Sequence, residues 1–216
     1  MDREETALSP GPPEPADSTS TRNRILEAAL MEFAERGVAG ARVDRIAARA
    51  GVNKALIYYY YTSKQRLYEE SISSYMRALL DSVRLSLDEA SNLEEALHGV
   101  AERYSSIFLT RPEIPRLMMR ELANPGSTLV SQWAERITAS GVPATIRRRL
   151  EAGREAGEVR PIDLRQAFVS FLTMQIGYFL MSPLVDRVLH LEDREAFVVA
   201  RRDAVVDLFL NGVKAR

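Results

Sequence analysis

Lys54, Ala55, Tyr58, Tyr59, Tyr60 and Lys64 lie within one short stretch of the chain, with Arg42 a little upstream. A lysine ammonium can pair with a phosphate or reach a guanine edge, and a tyrosine can hydrogen-bond a phosphate through its hydroxyl or set its ring against a base. An alanine is small enough to let the backbone approach a thymine methyl. This is the chemistry of nucleic-acid binding, and it requires a short helix that turns these side chains to one side. Other chemistries find no support. His98 and His190 are isolated, without metal-ligand spacing, and Gly153 and Gly157 fall at a helix end with no strand before them, which excludes a phosphate loop. There is no cysteine, hence no thiolate nucleophile, disulfide or cysteine-based metal site. The carboxylates are scattered along helix faces, so neither an enzyme nor a cofactor is expected.

The elements that would position these residues are legible around residues 42–61, RVDRIAARAGVNKALIYYYY. A helix over residues 43–50 places Ile46, Ala47 and Ala50 inward, Gly51 supplies a left-handed turn, and Asn53 caps a second helix reaching about Tyr60. The small Ala47 permits a close crossing, with Val52 and Ile57 filling the seam, as a helix-turn-helix demands. In the usual docking the N-terminal part of the second helix enters the major groove. Four consecutive tyrosines sweep a full helical turn, so they cannot all face one core. Tyr61 is read as a packing residue, and Tyr58, Tyr59 and Tyr60 as facing outward. Before this motif, residues 21–36 have the apolar period of an amphipathic helix, capped by Ser20 or Thr21 and ended by Gly37. Charge agrees with the motif. The whole chain of 216 residues carries a formal net charge of -1, but residues 21–66 hold nine cations against Glu27, Glu32, Glu35 and Asp44. Residues 1–20 are acidic and rich in Pro, Ser and Thr, and are expected to be a disordered tail.

Beyond residue 88 every segment is helical in pattern and every break is marked by Pro or Gly. Thr62 or Ser63 caps a long helix, with Thr62 and Gln65 placed as a capping box. Further segments cover residues 93–109, 114–123, 129–155 (weakened at Gly141), 164–181 (ending at Ser182-Pro183) and 194–213. The whole is an all-α fold of about nine or ten helices. The apolar run within residues 164–181 is interrupted by Ser170, Thr173, Gln175 and Gly177, so no membrane span is expected. The opening residues lack the features of a secretory signal, and a cytoplasmic location is expected. Residues 164–181 are apolar on more than one face, which requires extra cover. Either a second copy of the chain or the chain's own core could supply it. Phe168, Phe171, Leu172, Phe179, Val198, Val205 and Phe209 are the candidates for a dimer interface.

The segment TRNRILEAALMEFAERGVAGARVDRIAARAGVNKALIYYYYTSKQRLYE is similar to the N-terminal DNA-binding region of the TetR/AcrR family. Ile25, Ala29, Phe33, Gly37, Ile46, Ala47, Gly51, Val52, Ile57, Tyr58, Ser63, Lys64 and Leu67 each stand where that family's pattern expects their type. The resemblance implies a helix-turn-helix DNA-binding domain over residues 21–81 and an effector-binding and dimerisation domain over residues 88–216. It further implies a homodimeric repressor on a pseudo-palindromic operator, released by a small, largely apolar or amphipathic effector. Lys54, Ala55, Tyr58 and Tyr59 become recognition-helix contacts, with Tyr60, Lys64 and Arg42 on phosphates. Arg42 departs from the usual Ser or Thr, losing a side-chain cap while gaining a cation. Tyr104, Phe108, Met118, Trp133, Met174 and Tyr178 lie on helices that the resemblance places around an effector cavity. An activator, or a helical protein-interaction module without an effector, is the alternative.

Overall fold

The computed structural model describes residues 18–214. Ten helices occur among them: α1 (Ser18–Gly40), α2 (Val43–Ala50), α3 (Lys54–Tyr60), α4 (Lys64–Glu89), α5 (Leu93–Thr110), α6 (Glu113–Leu122), α7 (Thr128–Ala139), α8 (Val142–Glu155), α9 (Leu164–Val188) and α10 (Arg194–Val213). Among the described residues there is no strand, only one isolated bridge between Val159 and Lys214. Of the expected acidic tail, residues 1–17 lie outside the described residues. Residues 18–20 belong instead to α1, so Ser20 and Thr21 fall inside its first turns rather than capping it. The helix kinks at Gly37 and resumes to Gly40.

Helices α1 and α2 pack on each other, and α1 also packs on α4 and α6. Ile25, Leu30, Phe33, Ile46, Ile57 and Leu67 are fully buried together at this end of the molecule. Burying a side chain the size of Phe33 contributes about 2–3 kcal/mol. The Phe33 ring meets Tyr68 of α4 edge-on, with centroids 5.0 Å apart. Tyr68 in turn donates to the buried Glu121 carboxylate of α6, and Ser127 donates to its other oxygen. Arg120 donates to the Phe33 carbonyl at 3.1 Å, so α6 is tied to α1 as well as to α4.

Ser63, not Thr62, caps α4, accepting from the Arg66 N–H at 3.0 Å. With Ser63 as cap, the third helical position is Arg66, which cannot accept a hydrogen bond, so no capping box forms and Gln65 donates to Glu69 instead. The reciprocal arrangement occurs at α5, where Asn92 accepts from Glu95 N–H at 2.9 Å and Glu95 accepts from Ser91 N–H at 2.8 Å. At the far end of α4, Arg149 of α8 donates to the Leu87 and Ala90 carbonyls that the helix leaves unsatisfied.

Helix α9 does not end at Ser182-Pro183 but continues through Pro183 to Val188. Proline has no N–H to give the carbonyl four residues back, which is that of Phe179. Ser182 Oγ donates to that carbonyl at 3.2 Å, and the helix survives. The result is 25 residues long and apolar enough, by length and composition, to cross a membrane, which the shorter segment read from sequence was not. Within the fold its inner face packs on α5, α6, α8 and α10.

Helices α4 and α5 approach most closely at Gly99, where a Cβ would lie 2.8 Å from Ser86 Cβ. Gly99→Ala gains helix propensity but forces this seam apart, and overpacking of this kind costs about 1–3 kcal/mol. We expect a lower melting temperature for Gly99→Ala, with the loss reduced in a Ser86→Gly background. A loss of equal size in both backgrounds would place the strain elsewhere.

Candidate nucleic-acid interface and cavity

Gly51 has φ 66° and ψ 39°, and this left-handed residue reverses the chain between α2 and α3. Val52 N–H then bonds the Ala47 carbonyl at 3.0 Å, and Asn53 caps α3 through the Ala55 N–H at 2.9 Å. Ile57 is 1% exposed and anchors α3 against the core. At ~100° per residue, Ala55 and Tyr59 fall opposite Ile57 and Tyr58 about a quarter turn from it, while Lys54, the first residue of α3, lies about 60° away. Lys54, Ala55, Tyr58 and Tyr59 are all exposed, and Tyr61 is buried.

Tyr60 differs from its expected position. The same angular step swings it back toward Ile57, where it is half-buried between Tyr59 and Tyr61, with ring centroids 5.3 and 6.3 Å away. Its hydroxyl is buried without a hydrogen-bond partner. The expected phosphate contact from that hydroxyl is therefore not available in this conformation. Lys64 is also partly engaged: its ammonium donates to the Ala41 and Ala39 carbonyls at 3.2 and 3.5 Å, clamping the end of α1. One N–H remains free for another acceptor.

Lys54 Nζ pairs with Asp44 at 2.8 Å across the turn, and this hydrogen bond and charge raise the lysine pKa above its ordinary value. Arg42 is exposed and its side chain caps nothing. The orphan N–H of Arg42 is instead satisfied by Glu32 of α1 at 3.3 Å. Glu32 is 2% exposed and also lies 3.5 Å from both Arg36 and Arg45. Nothing in the local pattern around residue 42 signals this substitute cap, because it arrives from another helix.

A second feature is a cavity of ≈ 70 Å³ within the bundle. Met76, Leu79 and Leu80 of α4, Tyr104 of α5 and Met118 of α6 form part of its wall. Pro143 and Ile146 of α8 and Phe168, Phe171, Leu172 and Ile176 of α9 form most of the wall facing them, with Ile137 of α7 beside them. The lining is almost wholly aliphatic and aromatic. The Tyr104 phenol is its main polar group; it makes no hydrogen bond within the described residues, and burial pushes its pKa up to about 12.

Of the six residues expected around a cavity, Tyr104 and Met118 line this one, and four do not. Phe108 and Trp133 are buried in packing beside it. Tyr178 turns its ring toward Phe197 of α10, and its hydroxyl donates to Asp186, two turns on along α9, at 2.8 Å. Met174 also faces α10, and its carbonyl accepts from Arg201. The aliphatic part of the wall, including Leu79, Leu80, Ile146 and Ile176, gave no signal in the sequence because such residues fill any core.

The residues expected at a dimer interface are likewise reassigned. Phe171, Phe179, Val198, Val205 and Phe209 are all buried within the chain itself, and Phe171 and Phe209 pack with centroids 5.0 Å apart. Phe168 and Leu172 face the cavity. What α9 leaves exposed is a stripe of Val169, Met181, Leu184 and Val188, joined on α10 by Val199 and Leu208.

Residues 25–71 match the family described as bacterial regulatory proteins, tetR family, and residues 94–208 match the tetracyclin repressor-like C-terminal domain. The chain belongs to the tetR family of bacterial regulatory proteins. It is 38% identical over 120 residues to the HTH-type transcriptional repressor SCO4008 of Streptomyces coelicolor, spanning 56% of this chain and 59% of that protein. It is 28% identical to the HTH-type transcriptional repressor NicS of Pseudomonas putida, over 65% of this chain and 66% of that one. The chain thus spans less than two thirds of both relatives. Among solved structures, the transcriptional regulator FadR from Bacillus subtilis in complex with stearoyl-CoA shares the fold, with a TM-score of 0.71. That match has 21% identity and covers 88% of this chain and 98% of that one. These relatives are transcriptional regulators, not enzymes.

The Tyr104 phenol gives a test of the cavity's dryness. The folded chain keeps this proton at pH values where an unfolded phenol, near 10, has lost it. Its contribution to stability is therefore intact below about pH 10 and is lost as the pH rises toward about 12. Urea titrations should show a shallower fall in unfolding free energy over that window for Tyr104→Phe than for the parent. Parallel curves would mean that water reaches the phenol.

Proposed function

We propose that this chain is a transcriptional repressor that binds operator DNA as a homodimer in the cytoplasm and is released by a small, largely apolar effector. The observation that carries this reading is the exposed face of α3, with Lys54, Ala55, Tyr58 and Tyr59 held outward by the Gly51 turn and the buried Ile57. Residues 21–81 form the DNA-binding unit and residues 88–216 the effector and dimerisation unit. Lys54 and the two tyrosines address the major groove, and Arg42, with the remaining N–H of Lys64, addresses phosphates. A second copy covers the exposed stripe of α9 and α10, making a four-helix interface, and this cover accounts for a long apolar helix with no membrane to hold it.

The cavity is the effector site. At ≈ 70 Å³ it must enlarge to take more than a few atoms, and Met76 and Met118 are flexible side chains suited to such repacking. Tyr104 offers the effector a hydrogen-bond donor. That the same fold in the FadR neighbour is complexed with stearoyl-CoA supports an apolar ligand here. Helix α4 walls the cavity at Met76, Leu79 and Leu80 and is buried in the α1–α3 core at Leu67. Its displacement changes the separation of two recognition helices that must match about one turn of DNA, roughly 34–36 Å.

Fluorescence anisotropy with DNA from the chain's own upstream region tests the proposal. Lys54→Ala should weaken binding and flatten its salt dependence, whereas Asp44→Asn, which frees Lys54 and removes a negative charge, should strengthen binding by roughly threefold to tenfold. Equal affinities for both variants and the parent would refute the interface. Sedimentation should show Leu184→Arg as a monomer with folded helical content and weak operator binding. An unchanged dimer would move the interface away from this stripe.

A further inference from the structure

A hollow of ≈ 280 Å³ opens between α6, α9 and the start of α10. Three arginines line it, Arg116, Arg187 and Arg194, against a single acidic residue, Asp186. Arg116 and Arg187 are exposed and have no ion pair or hydrogen bond within the described residues. Arg194 is already engaged: its Nε lies 3.4 Å from Asp186 Oδ2, in an ion pair without hydrogen-bond geometry, and its Nη2 donates to Ser182 at 3.3 Å. Asp186 is already shared, since it accepts from Tyr178 as well. With one acidic residue among three arginines, the lining carries an excess of positive charge. Guanidinium groups bind planar or tetrahedral oxyanions through paired N–H bonds, and a phosphate or carboxylate is the ligand this geometry matches.

The hollow adjoins the effector cavity. Phe179 forms part of its floor; this ring packs edge-on against Phe108 at 5.1 Å, and Phe108 against Tyr104 at 5.8 Å. Tyr104 in turn lines the cavity. Along α9 the cavity residue Ile176 and the hollow residue Phe179 are separated by a rise of only about 4.5 Å. Two aromatic rings are thus the partition between an apolar chamber and a cationic one. We propose that the hollow is an oxyanion site for the head of the effector, whose apolar chain enters the cavity by displacing the Phe108–Phe179 pair. The proposal rests on the effector reading of the cavity given above, and it makes the effector an amphiphile carrying a phosphate or carboxylate.

Isothermal titration calorimetry on the full chain separates the two readings, using decyl phosphate, decanol and inorganic phosphate as probes below micellar concentration. Decyl phosphate should bind at least about tenfold more tightly than decanol. In the Arg116→Ala/Arg187→Ala double variant the two should bind alike, with decanol unchanged from the parent. Both arginines are exposed and unpaired, so the melting temperature should not move, and an Arg187→Lys variant should retain part of the gain. If decanol binds and the phosphate adds nothing, or if its advantage survives in the double variant, the oxyanion site is wrong and the cavity reading stands. If inorganic phosphate binds through the arginines while neither amphiphile competes with it, the hollow is an anion site but the link to the cavity is overturned. If no probe binds, both readings fall.

Discussion

The hydrogen bond from Tyr68 to Glu121 joins the two ends of the molecule, and much of the packing around it is arranged to keep it. A carboxylate at this depth is costly unless donors replace the water it has lost, and Glu121 has two, one from α4 and one from the turn before α7. Burial, together with this bond, holds the Tyr68 phenol far above its usual pKa, so the donor keeps its proton under any ordinary condition. The same tyrosine ring closes the core of the N-terminal helices against Phe33, and Arg120, next in sequence to Glu121, grips the Phe33 carbonyl. Helix α6 cannot shift without disturbing α1 and α4 together. Arg111, just before α6, adds a second tie, pairing with Glu27 of α1 and lying over the Tyr75 ring of α4.

The helix-turn-helix could be read from sequence because its requirements are local. Ala47, Gly51, Val52, Asn53 and Ile57 each do their work within a few residues of themselves. The tyrosine run could be read only in part. Tyr58, Tyr59 and Tyr61 follow from the helical period, whereas Tyr60 lands at an angle where burial and exposure compete, and neighbouring rings decide the outcome. In the C-terminal half the apolar residues were easily seen, but their partners were not. Phe171 and Val205 are as apolar as Leu184 and Val188, and only the arrangement of α5, α8 and α10 tells which pair is covered by the chain itself. The end of α9 was misread for another reason. Proline usually stops a helix, and the rescue at Phe179 depends on the geometry of one serine hydroxyl.

The cavity and the hollow beside it divide the polar and apolar requirements of one region between adjacent turns of α9. Ile176 and Leu172 face a chamber with almost no hydrogen-bonding capacity, whereas Asp186 and Arg187, a few turns on, stand in a cluster with an excess of donors. Sequence composition hides this division, because the helix as a whole simply reads as apolar. Its continuation past Pro183 places the charged residues within reach of α6 and the start of α10.

Glu32 has a consequence for how such a protein can change over generations. In a helix-turn-helix whose cap residue also touches DNA, any substitution there alters both folding and recognition, and the two selective pressures conflict. Here the N–H of the cap residue itself is satisfied by the buried Glu32 carboxylate from α1, and the Arg42 side chain caps nothing. Position 42 is thereby relieved of a structural duty. It can vary in charge and size while the motif that presents it stays folded, so the strength of a phosphate contact and the stability of the fold can drift along separate lines.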